Sequence, residues 1–311
     1  MKYEQKTIEL ASTQGFCAGV SNAIDTVELA IEKYGTPLYV RHHIVHNTRV
    51  IQDLEKRGVI FIEELKEVPD NTPVVFSAHG TAPNIFEEAK KRNIKVIDAT
   101  CPLVTKVHKE ALNYVKRGFH IILIGHKGHQ ELTGTAGYIP EEKRSIIETE
   151  SDIDQLNIDP SLPLAYLTQT TLSIRDTMGI INKLKTTYPQ IQGPKRADIC
   201  FATQNRQDAI IDLSTRCDII IVCGSPESSN SNRLKECAEQ ENIEAYIIDS
   251  VKELNLDWLK TKQHIGISSG ASVPKSIVDD VIEHIKIKWP QTTLIQKPSL
   301  EKHIVFQRPE I

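Results

Sequence analysis

The chain has 311 residues, with 37 Lys and Arg against 41 Asp and Glu and a formal charge of −4, a balance that argues against a general nucleic-acid binder. At 40% apolar and 25% charged residues it reads as a soluble globular protein with material for more than one core, which excludes disorder and collagen-like repeats. The longest apolar runs, at 121–124 and 219–223, fall far short of the roughly 20 residues that span a bilayer, and the polar start Met1-Lys-Tyr-Glu-Gln-Lys-Thr lacks the apolar core of a secretion signal, so a cytoplasmic location without membrane association is expected.

Taken in chain order, the predicted elements repeat. A strand at 7–10 leads into the turn Gln14-Gly-Phe-Cys-Ala-Gly19 and then a helix. Val20, Ala23, Ile24, Val27, Ala30 and Ile31 share one face of it, and Gly35 and Pro37 end it. A strand at 38–40 runs into a polar loop with His46 and Asn47, and strands at 59–62 and 74–76 follow, the second ending in Ser77-Ala-His-Gly80. The order restarts at Lys95 with a strand at 96–97, Cys101, a helix stopped by Gly118, a strand at 121–124 and the loop Gly125-His-Lys-Gly-His-Gln-Glu131. Strands at 145–147 and 164–167 complete it, and Thr168-Gln-Thr-Thr171 follows. The third pass starts at Asp198-Ile-Cys200, with a helix through Ile211, a strand at 219–222, the loop Gly224-Ser-Pro-Glu-Ser-Ser-Asn230, strands at 245–248 and 264–267, and the closing turn Ser268-Ser-Gly-Ala-Ser272.

Strands alternating with helices at this spacing predict parallel α/β units whose ligands gather beyond the carboxyl ends of the strands. Steps of 84 and 99 residues between Cys17, Cys101 and Cys200 make each unit the size of a small domain. The expected organisation is three pseudo-threefold-related α/β domains with mainly parallel sheets: 1–98 with the N-terminal strand, 99–197, and 198–311 with the C-terminal tail.

The six cysteines are expected as thiols, catalytic groups or metal ligands in a reducing cytosol, and the lack of a C-x-x-C pair tells against a zinc ribbon or a thioredoxin-type site. Cys17, Cys101 and Cys200 fall at the same strand-to-helix turn of the three units, where backbone N–H groups and the helix dipole favour the thiolate that metals require. If the units surround a pseudo-threefold axis, the sulfurs converge. Three thiolates with no evident fourth then point to an iron–sulfur cluster with one open iron, zinc being the competing metal. Cys217, Cys223 and Cys237 do not repeat and read as packing, with Cys223 the one nearest a polar loop.

No nucleotide-binding glycine loop of either common type occurs. The polar loops instead offer His46, Asn47, His79, His129, Ser228, Ser229, Asn230 and Ser272 as donors beside helix starts, an arrangement suited to phosphate or diphosphate and equally to helix capping. Glu131 is the acid placed to donate a proton if its pocket closes, and on spacing alone it is as readily a surface glutamate. Thr170 and Thr171 could relay that proton or hold a substrate hydroxyl.

Gly15-Phe-Cys-Ala-Gly-Val20, Val45-His-Asn47, Ser77-Ala-His-Gly80, Asp98-Ala-Thr-Cys-Pro-Leu-Val-Thr-Lys-Val-His108, Gly125-His-Lys-Gly-His129, Thr168-Gln-Thr-Thr-Leu-Ser173, Asn205-Arg-Gln207, Ser228-Ser-Asn-Ser-Asn-Arg233 and Gly270-Ala-Ser272 closely resemble the 4-hydroxy-3-methylbut-2-enyl diphosphate reductase (IspH or LytB) family, from about Thr7 to Phe306. The resemblance implies three α/β domains around a central [4Fe–4S] cluster. It also implies the last step of the non-mevalonate isoprenoid pathway, in which the hydroxylated allylic diphosphate gives isopentenyl and dimethylallyl diphosphates with two electrons and protons and loss of water. By the same resemblance Cys17, Cys101 and Cys200 are cluster ligands, and His46, His79, His129, Ser228, Ser229, Asn230 and Ser272 hold the diphosphate. Glu131 is then the proton donor, Thr170 its hydroxyl-binding partner, and reduced ferredoxin or flavodoxin the electron donor. Two positions depart from the family pattern: Gln130 stands where proline is usual and Thr133 where glutamate is usual, which bears on loop stiffness. No appended RNA-binding-like extension is expected.

Two other classes fit part of the pattern. Quinolinate synthase resembles a three-unit α/β array with three cysteines on one cluster, and net electron consumption separates it from a reductase. A zinc-holding phosphate-binding protein would be colourless.

Overall fold

The computed structural model describes residues 5–159, 161–298, 301, 304–307 and 311. Strands and helices alternate along it. The first third runs β1 (Thr7–Leu10), α1 (Ala18–Tyr34), β2 (Leu38–Arg41), α2 (Thr48–Lys56), β3 (Val59–Ile62), β4 (Val74–Phe76), α3 (Pro83–Lys91) and β5 (Val96–Asp98). The second runs α4 (Pro102–Lys116), β6 (His120–Ile124), α5 (Gln130–Ala136), β7 (Arg144–Ile147), β8 (Leu164–Thr168) and α6 (Ile174–Thr187). The last runs α7 (Phe201–Ser214), β9 (Ile219–Cys223), α8 (Ser229–Gln240), β10 (Glu244–Ile248), β11 (His264–Ser269), α9 (Lys275–Lys288) and β12 (Thr293–Gln296). Among the described residues no helix is long and apolar enough to cross a membrane.

The strands form three parallel sheets, ordered β3-β2-β4-β5, β7-β6-β8 and β10-β9-β11-β1-β12. The repeat is legible in these orders. In each sheet the strand that precedes a polar loop (β2, β6 or β9) has the next strand of its repeat on one side and the last on the other. The strand leading to a cysteine then adds to the sheet of the preceding repeat. Thus β5 lies beside β4, β1 lies beside β11, and in the middle sheet the equivalent contact is a single bridge from Gln192 to Ala165 of β8. The strand at 7–10, expected within the first unit, therefore belongs to the sheet of the third, with Ile8 opposite Ile265. Residues 96–98, where the repeat restarts, edge the first sheet. A local apolar pattern marks a strand but cannot name its neighbour, because parallel partners are joined by long crossovers.

The chain divides into two compact units. One comprises Met1–Val20, His46–Gln52 and Phe201–Val305 and holds the five-stranded sheet; the other comprises Ser21–Val45, Asp53–Cys200 and Phe306–Ile311 and holds the remaining two sheets. In the first unit, β9 is buried along its whole length. Ile219, Ile221 and Cys223 pack with Ile8, Ile265 and the α9 side chains Ile277, Val281 and Ile285. Ile220 and Val222 face the opposite core with Ile210, Leu213 and Leu234. An apolar run buried on both faces is what a central parallel strand requires, and each such isoleucine contributes about 1.5–3 kcal/mol by burial. The sequence gives no strand signal for β12, whose four residues are all exposed at the edge beside β1.

Candidate active site

Each of the three repeating cysteines immediately precedes a helix: Cys17 before α1, Cys101 before α4 and Cys200 before α7. Their backbones are fixed in the same way. The N–H of Cys17 donates to the carbonyl of Ala271 (3.0 Å), that of Cys101 to Ala78 (3.0 Å) and that of Cys200 to Thr170 (3.1 Å). In every case the acceptor lies two residues beyond a strand end, after β11, β4 and β8 respectively. The segment before each cysteine runs beside the sheet that carries this acceptor, through β1, β5 or the single bridge at Gln192, and each cysteine then opens a helix. The Val20 N–H lies 3.4 Å from the Cys17 sulfur. All three of these thiols are partly exposed, whereas Cys217, Cys223 and Cys237 are buried. Burial pushes the Cys217 and Cys223 thiols up to about 12 and leaves them as packing groups, as expected from their lack of repeat.

The polar loops end in helices that the sequence pattern misses. Residues 47, 129 and 228 are equivalent caps that follow the central strands. The Asn47 side chain accepts from Val50 N–H (3.0 Å), His129 Nδ1 from Glu131 N–H (3.2 Å) and Ser228 Oγ from Ser231 N–H (3.3 Å). Glu131, expected in a loop, accordingly sits in the first turn of α5, and Ser229 and Asn230 open α8. α5 and α8 are short or polar and carry little apolar periodicity, whereas α2 buries Val50, Ile51 and Leu54 on one face, a stripe that sequence reasoning overlooked.

In the unit that holds the five-stranded sheet, Ser272 Oγ donates to the His46 carbonyl (3.0 Å), tying the two loops that carry these residues. Asn230 is 6% exposed, and neither its amide nitrogen nor its amide oxygen has a protein partner. An uncompensated buried amide is costly and marks a place where a ligand or water completes the bonding. Gly270 keeps that place open, since a Cβ there would come within 3.3 Å of the Asn230 amide nitrogen. The Cys17 loop is held from beneath by two groups that sequence reasoning did not single out. Ser269 Oγ accepts from Gly15 N–H (2.7 Å), and the wholly buried Arg206 donates to the Gly15 carbonyl (2.7 Å) and to both Glu301 carboxylate oxygens (3.1 and 3.2 Å). Arg206 lies within the motif Asn205-Arg-Gln207, the one signal that could have found it.

In the other unit, His79 and His129 meet edge to face with ring centroids 6.1 Å apart. Glu131 is 3% exposed, and its two carboxylate oxygens accept from Thr170 N–H (2.6 Å) and Thr170 Oγ (2.9 Å). Burial raises the Glu131 carboxyl to about 7, against the two Thr170 bonds that lower it and with a smaller upward push from Asp198. The surface-glutamate reading of Glu131 therefore fails, and the carboxyl can hold a proton near neutrality. Because the carbonyl of Thr170 also accepts from Cys200 N–H, the acid, its threonine and one thiol form a single bonded run.

Two glycines let α5 lie where it does. Gly80 has φ +87°, and a Cβ on Gly134 would stand 2.8 Å from the Gly80 carbonyl oxygen. Since that neighbour is backbone, Gly134→Ala is expected to displace α5 and cost about 1–3 kcal/mol, read as a lower denaturation midpoint with an unchanged m-value.

Asp198, 4% exposed, is a second buried acid that the sequence analysis left without a role. It accepts from Thr168 N–H (3.0 Å) and from Lys106 Nζ (3.0 Å), which also donates to the carbonyls of Arg196 and Ala197 (2.6 and 3.1 Å). Burial raises its carboxyl to about 6, partly offset by the Thr168 bond and by Lys106. Asp198 thereby joins α4, which follows Cys101, to the strand end before Thr170 and to the approach to Cys200. Asp198→Ala strands the Thr168 N–H and is expected to cost about 1–3 kcal/mol in urea unfolding, with partial recovery in Asp198→Asn, which keeps an acceptor.

Among the described residues no three His, Cys, Asp or Glu side chains gather as ligands of a single ion would. A cluster places a different iron behind each thiolate, so its ligands need not meet at one point. Three equivalent, partly exposed thiols at helix starts fit that donor set.

A family model described as LytB protein matches residues 8–286. A 4-hydroxy-3-methylbut-2-enyl diphosphate reductase of Xanthomonas axonopodis pv. citri (strain 306) is 52% identical over 281 residues, 89% of either chain. Another, of Stenotrophomonas maltophilia (strain K279a), is 51% identical over 280 residues with the same coverage. The solved structure of the E-1-hydroxy-2-methyl-but-2-enyl-4-diphosphate reductase from Plasmodium falciparum superposes with a TM-score of 0.95 at 40% identity, covering 98% of this chain and 96% of that one.

Proposed function

The chain belongs to the LytB protein family, and from that premise we infer that it reduces 4-hydroxy-3-methylbut-2-enyl diphosphate to isopentenyl and dimethylallyl diphosphates. The allylic C–O bond breaks, two electrons and two protons are taken up, and the oxygen leaves as water. The observation that carries this reading is the buried Glu131 carboxyl, held by Thr170 and joined through the Thr170 backbone to Cys200.

Cys17, Cys101 and Cys200 would hold a [4Fe–4S] cluster. When bound, the cluster supplies single electrons and a Lewis-acidic iron for oxygen. Hydroxide is a poor leaving group, so the departing oxygen needs a proton. Glu131, 3% exposed, holds one near neutrality, and Thr170 Oγ orients the Glu131 Oε2 atom. The diphosphate requires donors only. In the unit with the five-stranded sheet these are His46, Ser228, Ser229, Asn230 and Ser272, with the unsatisfied Asn230 amide the best placed. In the other unit they are His79 and His129. We place the activity in the cytoplasm, with the electrons supplied by ferredoxin or flavodoxin, and assign three α/β domains at 1–98, 99–197 and 198–311, of which the first lends its strand at Thr7–Leu10 to the sheet of the third.

Anaerobic cluster reconstitution followed by addition of the allylic diphosphate to reduced viologen tests the reading. Sustained dye oxidation at two electrons per substrate consumed is the expected result. A fully loaded, brown protein that oxidises no dye would overturn it and favour the dehydrative condensation of a quinolinate synthase.

A further inference from the structure

A basic hollow of about 430 Å³ lies on the unit that carries Cys101 and Cys200, lined by Lys106, Lys109, Arg117, Lys195, Arg196 and the single carboxylate Glu110. The chain as a whole is acidic at −4, so this concentration of cations runs against its average charge. Lys106 is only partly exposed, and its charge is offset by Asp198 and Glu110. Lys109, Arg117, Lys195 and Arg196 are exposed, and among the described residues none of them forms an ion pair with a carboxylate.

The hollow is also rigid. Tyr114 hydroxyl donates to the Gly193 carbonyl (2.6 Å), Lys195 N–H to Glu110 (3.0 Å), and Lys106 to the Arg196 and Ala197 carbonyls, so α4 grips the segment 193–198 at three points. Arg117 stacks on Phe119 with its guanidinium 4.6 Å from the ring centre and bonds Gln192 (3.2 Å). Cations without a carboxylate partner, held on a preorganised surface, are suited to a partner of opposite charge. Both ends of the hollow abut thiol-bearing backbone. Pro102 directly follows Cys101, and Arg196 lies four residues before Cys200.

We propose that this hollow is the docking surface for an acidic one-electron carrier protein. The proposal rests on the reductase reading above, which requires two electrons from outside and which the chain, having no nucleotide-binding glycine loop, does not draw from a bound nicotinamide by that route. Electron transfer decays steeply with distance, so a carrier must seat against the backbone that leads most directly to the thiols. Each docking passes one electron. Two reduced carriers are therefore oxidised for every hydroxyl that leaves as water with two protons.

The test is the triple variant Lys109→Glu, Lys195→Glu and Arg196→Glu in the reconstituted protein, with an acidic plant-type [2Fe–2S] ferredoxin as probe. A cationic viologen dye has no use for a basic patch, so dye-supported turnover should stay within about twofold of wild type. Ferredoxin-supported kcat/KM and calorimetric affinity should each fall at least about tenfold, and the wild-type values should decline steeply with added salt. Unchanged ferredoxin affinity and kcat/KM in the variant overturn the proposal. So does loss of binding to a single-stranded RNA oligonucleotide with ferredoxin unaffected, which assigns the hollow to nucleic acid. Failure of the reductase reading shows separately, as wild-type protein that binds ferredoxin but oxidises no dye, and calorimetry on the variant then still decides the docking surface.

Discussion

Glu131→Gln is expected to lower kcat by about 10²- to 10⁴-fold while iron content and KM for the diphosphate stay close to wild type. Glutamine matches the shape of the carboxyl, and its amide oxygen can still accept from Thr170, so α5 and the Thr170 strand end remain in place. It cannot release a proton to the departing oxygen. A second measurement separates this loss from a structural one. With the Glu131 carboxyl raised to about 7, the protonated acid predominates below neutrality, and kcat should fall as pH rises through 7. The Gln variant should lack that alkaline limb. Thr170→Ala removes a bond that lowers the Glu131 pKa and should move the limb to higher pH. The linked effect on stability has a definite sign. Because the folded-state pKa lies above the ordinary value of 4.5, the contribution of Glu131 is fully present below about 4.5 and is lost as pH rises through 7. Unchanged turnover in Glu131→Gln would remove this residue from the reaction.

Cys17→Ala, Cys101→Ala and Cys200→Ala should each fail to retain a full cluster, losing more than the roughly 10- to 100-fold in metal affinity that substitution of even an outer-shell group removes. Cys217→Ala and Cys237→Ala are the controls. Both side chains pack in one core with Leu213 and Leu234, so their removal should cost about 1 kcal/mol of stability and leave iron and sulfide unchanged. Anaerobic iron and sulfide determination with the visible spectrum checks the pattern. Retention of full iron and sulfide by any of the three ligand variants would count against the proposed donor set.

The elements were largely legible because parallel strands buried on both faces carry concentrated apolar runs. The run at 219–223, its counterpart at 121–124 and the run at 264–267 all become strands, each flanked on both sides in its sheet. Equivalent turns at Cys17, Cys101 and Cys200 could be aligned because each opens a helix, the first two directly after the strands β1 and β5. The helices α2, α5 and α8 were not read from the sequence: α5 is only seven residues long and α8 is mostly polar, and the caps Asn47, His129 and Ser228 look like loop residues in a linear pattern, while the apolar face of α2 was overlooked.

What the sequence alone determined is the set of chemical groups, the threefold order in which they recur, and the family they resemble. Residue type and spacing are local properties and survive translation into any fold. Tertiary structure decided the matters that depend on long-range neighbours. Burial converts Glu131 from an unremarkable glutamate into an acid titrating near 7, and only the approach of Thr170, 39 residues away, fixes its orientation. The pairing of β1 with β11 places Cys17 beside Ala271, more than 250 residues later. Lys106 and the buried Asp198, 92 residues apart, meet as an ion pair, and the cations around α4 become a surface only when the segment at 193–198 is bonded against it. Desolvation and charge pairing are set by what packs around a group in space, and one-dimensional spacing carries no measure of either.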